Sequence, residues 1–229
     1  KKYSVSLTSF MNQIDIQKNK IKSLEAKQKE TELCSESEDE LRQQIHTLEK
    51  NKDAFETNEK FISKLSGRLI CEGYKIVSGY GLGVGSAVIS GALYEIYHKQ
   101  KKSLTDQLIL RPFPQGDDAK EMWEIYRQDM ISYSGISIFL LGNKKEGETT
   151  VLSNGMRSEY EISKKQGNFL IPIGRTGYIS EVLWNELLKE KQDDHTFDIY
   201  RHDIVSLGDN TKALDEVIEI VIELIKKVK

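Results

Sequence analysis

Two apolar runs constrain this chain most: "GISIFLLGN" at residues 135–143 and "NFLIPIG" at residues 168–174. Neither alternates apolar with polar residues. A strand with one wet face alternates, whereas a strand covered on both faces does not. The runs therefore predict interior strands of a parallel sheet. "YKIVSG" (74–79) and "DQLILRPF" (106–113) read as two further strands. Helical periodicity falls between them. Phe61, Leu65, Leu69 and Ile70 mark a helix closed by Gly73 as C-cap. Further helices are predicted over 86–97, 119–132, 155–165, 178–189 and 214–228, and a polar loop over 144–154. Strand and helix in alternation predict an α/β, Rossmann-like, doubly wound parallel sheet. Such sheets bind ligands beyond the carboxyl ends of their strands.

One of those ends reads "VSGYGLGVGS". Gly79, Gly81, Gly83 and Gly85 stand at every second position, and Ser86 opens a helix. Glycines there let the backbone approach a ligand and take positive φ. Free N–H groups at the helix start favour a phosphate. The spacing is neither the dinucleotide fingerprint nor a Walker A loop, since Val84 or Ser86 falls where the last glycine belongs and no Lys-Ser/Thr follows. Four glycines in seven residues exceed the needs of a turn, so a phosphate or nucleotide cradle is the favoured reading.

The other strand ends carry polar groups. "RPFPQGDD" follows the second strand; its Phe113 either stacks on a base or packs under the loop. Arg127 and Asp129 come late in the helix before the third strand. Asn143 and Lys144 lie just past that strand, and Arg157, Glu159 and Glu161 open the next helix. Singly, each charge suits a solvated surface. Jointly, Arg127, Lys144 and Glu159 suit a nucleotide: two cations for a pyrophosphate and a carboxylate for ribose hydroxyls.

Residues 1–57 differ from the rest, with no Gly and no Pro. Ile14, Ile21 and Leu24 fall on a heptad seam, as do Leu41, Ile45 and Leu48, on either side of the polar "CSESEDE". Two helices are expected, forming either an oligomerising coil or a solvated linker. "YSVSLTSF" (3–10) has the alternation of a short strand. The expected division is a helical or coiled-coil segment, 1–57, and an α/β domain, 58–229. With 33 basic and 36 acidic residues there is no basic run interleaved with aromatics, so nucleic acid is not an expected partner. No apolar stretch has the length of a bilayer span, and no signal peptide is read. Cys34 and Cys71 make no disulfide framework, so a reducing cytoplasm is expected. Four scattered His give no metal-ligand spacing. The first residue is Lys1, and a longer parent protein is expected.

"IVSGYGLGVGSAVISGAL", "LILRPFPQG", "YRQDMI", "IFLLGNK", "EYEISKKQGN" and "IPIGRTGY", in that order, resemble the SLOG sensor domain of Thoeris anti-phage effectors. The resemblance implies a domain that binds a cyclic ADP-ribose isomer made by a partner TIR-domain protein. It implies a sirtuin-like NADase as the output domain, which residues 1–57 do not resemble. The family's ligand-contacting Arg, Lys and Glu fall on Arg127, Lys144 and Glu159. The full set of candidate ligand contacts is Gly79, Gly81, Leu82, Gly83, Gly85, Ser86, Arg111, Phe113, Arg127, Asn143, Lys144 and Glu159, with no catalytic residue, metal or further cofactor. Related LOG-type phosphoribohydrolases use a Pro-Gly-Gly-x-Gly-Thr loop. Here the matching place reads Leu141-Gly142-Asn143-Lys144, which argues for a sensor over an N-glycosidic hydrolase. The family's opening strand, ending Ser-Gly-Ser, is supplied by residues 3–8 or missing. A homo-oligomer is expected; the wide apolar band of helix 214–228, with Ile218, Ile222 and Val228 beside Val217, Ile220, Val221, Leu224 and Ile225, either offers surplus surface to a partner or packs on the sheet.

Overall fold

The computed structural model describes residues 18–20, 22–23, 35–81, 84–100, 107–114, 119–146 and 149–228. The short strand expected at 3–10 and the seam at Ile14, Ile21 and Leu24 lie outside these residues. Helix α1 runs Ser35–Cys71 without interruption, so the acidic stretch read as a break is, from Ser35 onward, the first turns of a helix. Carboxylates there suit the positive end of the helix dipole. Its other end closes as expected. Gly73 takes φ 83°, its N–H donates to Ile70 O, and Tyr74 N–H donates to Leu69 O, both at 3.0 Å. That double bond is the Schellman stop, which an αL glycine makes cheap.

Strand β1, Ile76–Ser78, follows, then helix α2, Gly85–Tyr94, which continues as a π-helical turn, Glu95–Gln100. Strand β2 is Leu108–Leu110 and pairs in parallel with β1. Helix α3, Ala119–Ser132, leads to strand β3, Ile136–Phe139. The expected polar loop is instead an antiparallel hairpin, β4 (Asn143–Glu146) and β5 (Thr149–Leu152), with Lys144 opposite Val151. The β-branched run Thr149-Thr150-Val151 favours pleated backbone over loop. Helix α4, Asn154–Lys165, is capped by Ser153, whose Oγ accepts from Met156 N–H at 3.3 Å. Strand β6, Phe169–Pro172, pairs in parallel with β3. Helices α5 (Tyr178–Glu190), α6 (Asp198–Ser206) and α7 (Leu214–Val228) complete the chain.

Parallel pairing and helical crossovers are thus present, as the apolar runs require. Among the described residues the strands form two separate parallel pairs, β1–β2 and β3–β6, and not one continuous ladder. The wide band of α7 has a local explanation, which corrects the expectation of surplus surface. Ile218 and Ile222 are 4% and 0% exposed and belong to the same core as Val217, Val221 and Leu224. α7 lies against both α1 and α6, so two faces are buried within the domain. Helix α6 was not foreseen. It follows a single turn, His195–Phe197, capped by Asp194, which accepts from Thr196 N–H at 3.0 Å.

Helices α1 and α2 meet backbone to backbone. A Cβ built on Gly91 of α2 would lie 1.9 Å from Ser63 O of α1. Alanine is the better helix former by about 1 kcal/mol, yet here it requires the helices to separate. Gly91→Ala is therefore expected to destabilise the fold by about 1–3 kcal/mol, the usual range for overpacking. Urea denaturation reads this; an unchanged or higher midpoint would contradict the close crossing.

Candidate functional site

Parallel strands deliver their carboxyl ends to one edge of each pair. β1 ends in the glycine loop. Gly79, Gly81 and Gly85 are described; Leu82 and Gly83 lie outside the described residues. None of the three glycines takes positive φ, contrary to the expectation; Tyr80 does, at 54°. What these positions lack is room. A Cβ on Gly79 would lie 2.8 Å from Phe113 Cε2 and 3.0 Å from Met130 Sδ. One on Gly85 would lie 2.6 Å from Tyr80 Cδ2. Among the described residues no atom lies within 4 Å of a Cβ built on Gly81, and the Gly81 carbonyl accepts from Gly85 N–H at 2.8 Å. No side-chain oxygen caps α2, whose Ser86 is exposed.

Arg111 and Phe113 follow the end of β2. Phe113 is the floor of this rim. Trp123 and Tyr126 of α3 meet its ring edge-on at 6.4 and 5.3 Å. Arg127 Cζ lies 5.2 Å from its centroid and 5.9 Å from that of Trp123. Of the two uses open to Phe113, packing beneath the loop is the one seen. Arg111 forms an ion pair with Asp129 and lies over Tyr126 and Tyr133, at 5.7 and 5.0 Å. Trp123, Tyr126 and Tyr133 were not among the candidates. Their signal was Trp123 and Tyr126 three residues apart on the helix, with Tyr133 one residue beyond its end.

Arg127 and Glu159 come together, as expected: Nε to Oε1 is 3.7 Å. The Arg127 side chain is 13% exposed, and its Nε is buried with no hydrogen-bond partner. Gly155 makes room for it, since a Cβ there would lie 3.1 Å from Nη2. Burial pushes the Glu159 carboxyl up from the usual 4.5 to about 7, with the Arg127 charge pulling the other way. Lys144 is paired within its own hairpin. It lies on the hairpin with its Nζ 2.6 Å from Glu146 Oε1, and among the described residues no hydrogen bond or ion pair joins it to Arg127 or Glu159. Asn143 is exposed opposite Leu152. Arg157 turns away to a bidentate pair with Glu186.

Parallel strand pairs joined through helices, with polar groups at the strand ends, define a Rossmann-like α/β domain. The chain belongs to the Sir2- and TIR-associating SLOG family, whose profile matches residues 25–228. Three relatives carry the name NAD(+) hydrolase ThsA. The one from Bacillus cereus (strain MSX-D12) is 51% identical over 132 residues, 58% of this chain and 28% of that protein. The one from Cytobacillus dafuensis is 40% identical over 174 residues, 74% of this chain and 35% of that protein. The one from Enterococcus faecium is 38% identical over 172 residues, with the same coverage of 74% and 35%. The chain spans about a third of the length of the curated relatives it matches.

The Glu159 environment has a pH signature. A carboxyl raised on folding adds stability that is fully present below pH 4.5 and is lost as pH rises through about 7. Glu159→Gln removes that loss. The variant is expected to gain on the wild type between about pH 5 and about pH 8, read from urea midpoints of both proteins. Parallel pH curves would show that Glu159 is not raised.

Proposed function

We propose that this chain is the sensing domain of a Thoeris-type anti-phage effector. It binds a cyclic ADP-ribose isomer, or a related ADP-ribose nucleotide, made by a TIR-domain protein that acts on it only through this messenger. Binding is passed to an output domain, and the site works in the cytoplasm. Family membership supports the class, and the name the relatives carry supports a place close to NAD chemistry. The observation that carries the site is Arg127. It is held in a nearly closed aromatic setting, beside a glycine loop, with a buried donor unused. A guanidinium so placed matches a phosphoryl oxygen, and Glu159 beside it matches ribose hydroxyls. Lys144 reaches a phosphate by exchanging Glu146 for it. Residues 58–229 form the sensing domain, and residues 1–57 link it to output or to other copies.

The domain binds its nucleotide without cleaving it. Leu141–Lys144 and the hairpin stand where hydrolases of this superfamily carry their Pro-Gly-Gly-x-Gly-Thr loop. Hydrolysis named for the relatives belongs to proteins of which this chain matches about a third.

Titration calorimetry against ADP-ribose, NAD, cyclic ADP-ribose and its glycosidic isomers tests the reading; binding of none of them overturns it. Arg127→Ala is expected to weaken the tightest of these by about 1.5–3 kcal/mol. A folded variant that binds as the wild type does removes Arg127 from the site. Chromatography after incubation should show the bound nucleotide intact. Released base or ribose phosphate, abolished by Glu159→Ala, would support the hydrolase reading instead.

A further inference from the structure

Each strand of a parallel pair turns alternate peptide groups toward its partner and the others toward its free edge. Ile76 N–H donates to Gln107 O and Ser78 O accepts from Arg111 N–H, both at 2.8 Å, so Ile76 and Ser78 face β2 and Val77 faces away. Gly135 O and Phe139 O accept from the N–H groups of Phe169 and Ile173, both at 2.8 Å, so Ile136 and Ile138 face away from β6. Among the described residues β1 bonds no strand but β2, and β3 none but β6.

The free edges differ in kind. On β6 the outward position is Pro172, which has no N–H to leave unpaired, and a strand proline belongs on an edge. Native edges are blunted by proline or charge, yet β1 (Ile76-Val77-Ser78) and β3 (Ile136-Ser137-Ile138-Phe139) carry neither. Both strands are only half-buried over most of their length, and Ile76, Ile136 and Ile138 pack on one core. Such a pair of edges suits a strand lying between them.

The segment Tyr3-Ser4-Val5-Ser6-Leu7-Thr8 has the chemistry for that place. It is uncharged, and its apolar and hydroxyl residues alternate. Tyr3, Val5 and Leu7 match the core face of Ile136 and Ile138; Ser4, Ser6 and Thr8 match the other face, where Ser137 Oγ accepts from Asn168 Nδ2 at 3.1 Å. Its reach fits as well. Lys18 Nζ lies 3.1 Å from Glu49 Oε1 of α1, well up the arm from Ser35 toward the domain. From Glu49 to Phe61, where the core begins, is about 18 Å along the helix, and residues 9–17 span up to about 30 Å. The direction follows from α1. It ends at Cys71 just before β1 starts at Ile76, so it descends from the rim, and its arm stands beyond the rim. A strand that leaves the sheet at the rim to join the arm runs parallel to β1 and β3.

We propose that Tyr3–Thr8 docks between β1 and β3 of its own chain as a parallel strand, joining the two pairs into one sheet and carrying the arm's first segment into the centre of the domain. The inference does not rest on the nucleotide-sensing reading.

The test uses the full chain with Cys34→Ser and Cys71→Ser, so that no other thiol competes. Ser137→Cys is combined in turn with Ser4→Cys, Val5→Cys, Ser6→Cys, Leu7→Cys and Thr8→Cys, and oxidation by oxidised glutathione is followed by non-reducing electrophoresis and mass spectrometry. Neighbouring strands bring same-face residues within disulfide reach. At least one of the variants at Ser4, Ser6 and Thr8 should close a disulfide within one chain, at least about 10-fold faster than those at Val5 and Leu7. Equal rates at all five positions, faster closure at Val5 or Leu7, or disulfides only between chains, which mark a second copy, overturn the proposal. Hydrogen exchange of the unaltered chain, read by NMR, gives an independent measure. The amides of Val77, Ile136 and Ile138 should exchange more than about 100-fold more slowly than in an unstructured peptide. Removing residues 1–10 should speed these three at least about 10-fold and leave the amides of Ser78 and Ser137, which face β2 and β6, within about threefold. Fast exchange of the three in the full chain, or protection that survives the removal, overturns the proposal; where the shortened chain does not fold, the disulfide rates decide.

Discussion

The candidate site depends on two pairs of strands that run parallel. Antiparallel neighbours are joined by a turn and place successive strand ends at opposite edges. Parallel neighbours must be joined by a crossover, and every strand then ends at the same edge. β1 and β2 bring Gly79 and Arg111 side by side, held by the Arg111 N–H to Ser78 O bond. β3 and β6 do the same for Leu141–Gly142 and the Ile173–Thr176 turn, where Thr176 Oγ1 accepts from Leu141 N–H at 2.8 Å. Helix α3 spans the two pairs. Its Met130 lies beneath Gly79, and Gln128 O accepts from Gln166 at the end of α4. Removing the parallel pairing would scatter these groups over two edges.

The apolar runs 135–143 and 168–174 made this legible in the sequence, because unbroken burial leaves strands no wet face to record. The helices that follow them were readable for the complementary reason, a stripe every three or four residues. The hairpin was not, since Lys144, Lys145 and Glu146 carry the charge expected of a loop while Thr149 to Val151 set the backbone. The width of α7 was visible, but not its cause. Periodicity reports how much of a helix is covered and is silent on whether the cover is the same chain. Among the site residues, Arg127 and Glu159 were legible as a pair because each sits at a predictable end of an element. The aromatic frame was not, because Trp123, Tyr126 and Tyr133 read equally well as ordinary packing on a helix.

The glycine loop shows how one residue type answers two different demands. Positive φ is the usual reason for glycine at a strand end. Here the left-handed residue is Tyr80, and the glycines that flank it keep out of the way: Gly79 of Phe113, Gly85 of the Tyr80 ring itself. The loop is therefore pressed onto the aromatic frame and not merely bent above it. Substitution at Gly79 would reach Arg127 through the ring on which that guanidinium rests.

The close crossing of α1 and α2 has a mechanical meaning. α2 begins where the glycine loop ends, and its Gly91 meets the backbone of α1 at Ser63, with only the short Ser66 hydroxyl beside the contact. Beyond that point α1 continues as one helix to Ser35. At 1.5 Å per residue this arm is about 42 Å long. It acts as a lever with its fulcrum at the crossing: a tilt of about 5° there carries the far end through about 4 Å. A tilt small enough to leave the packing at the loop intact would thus be felt as a larger displacement at the opposite end of the helix.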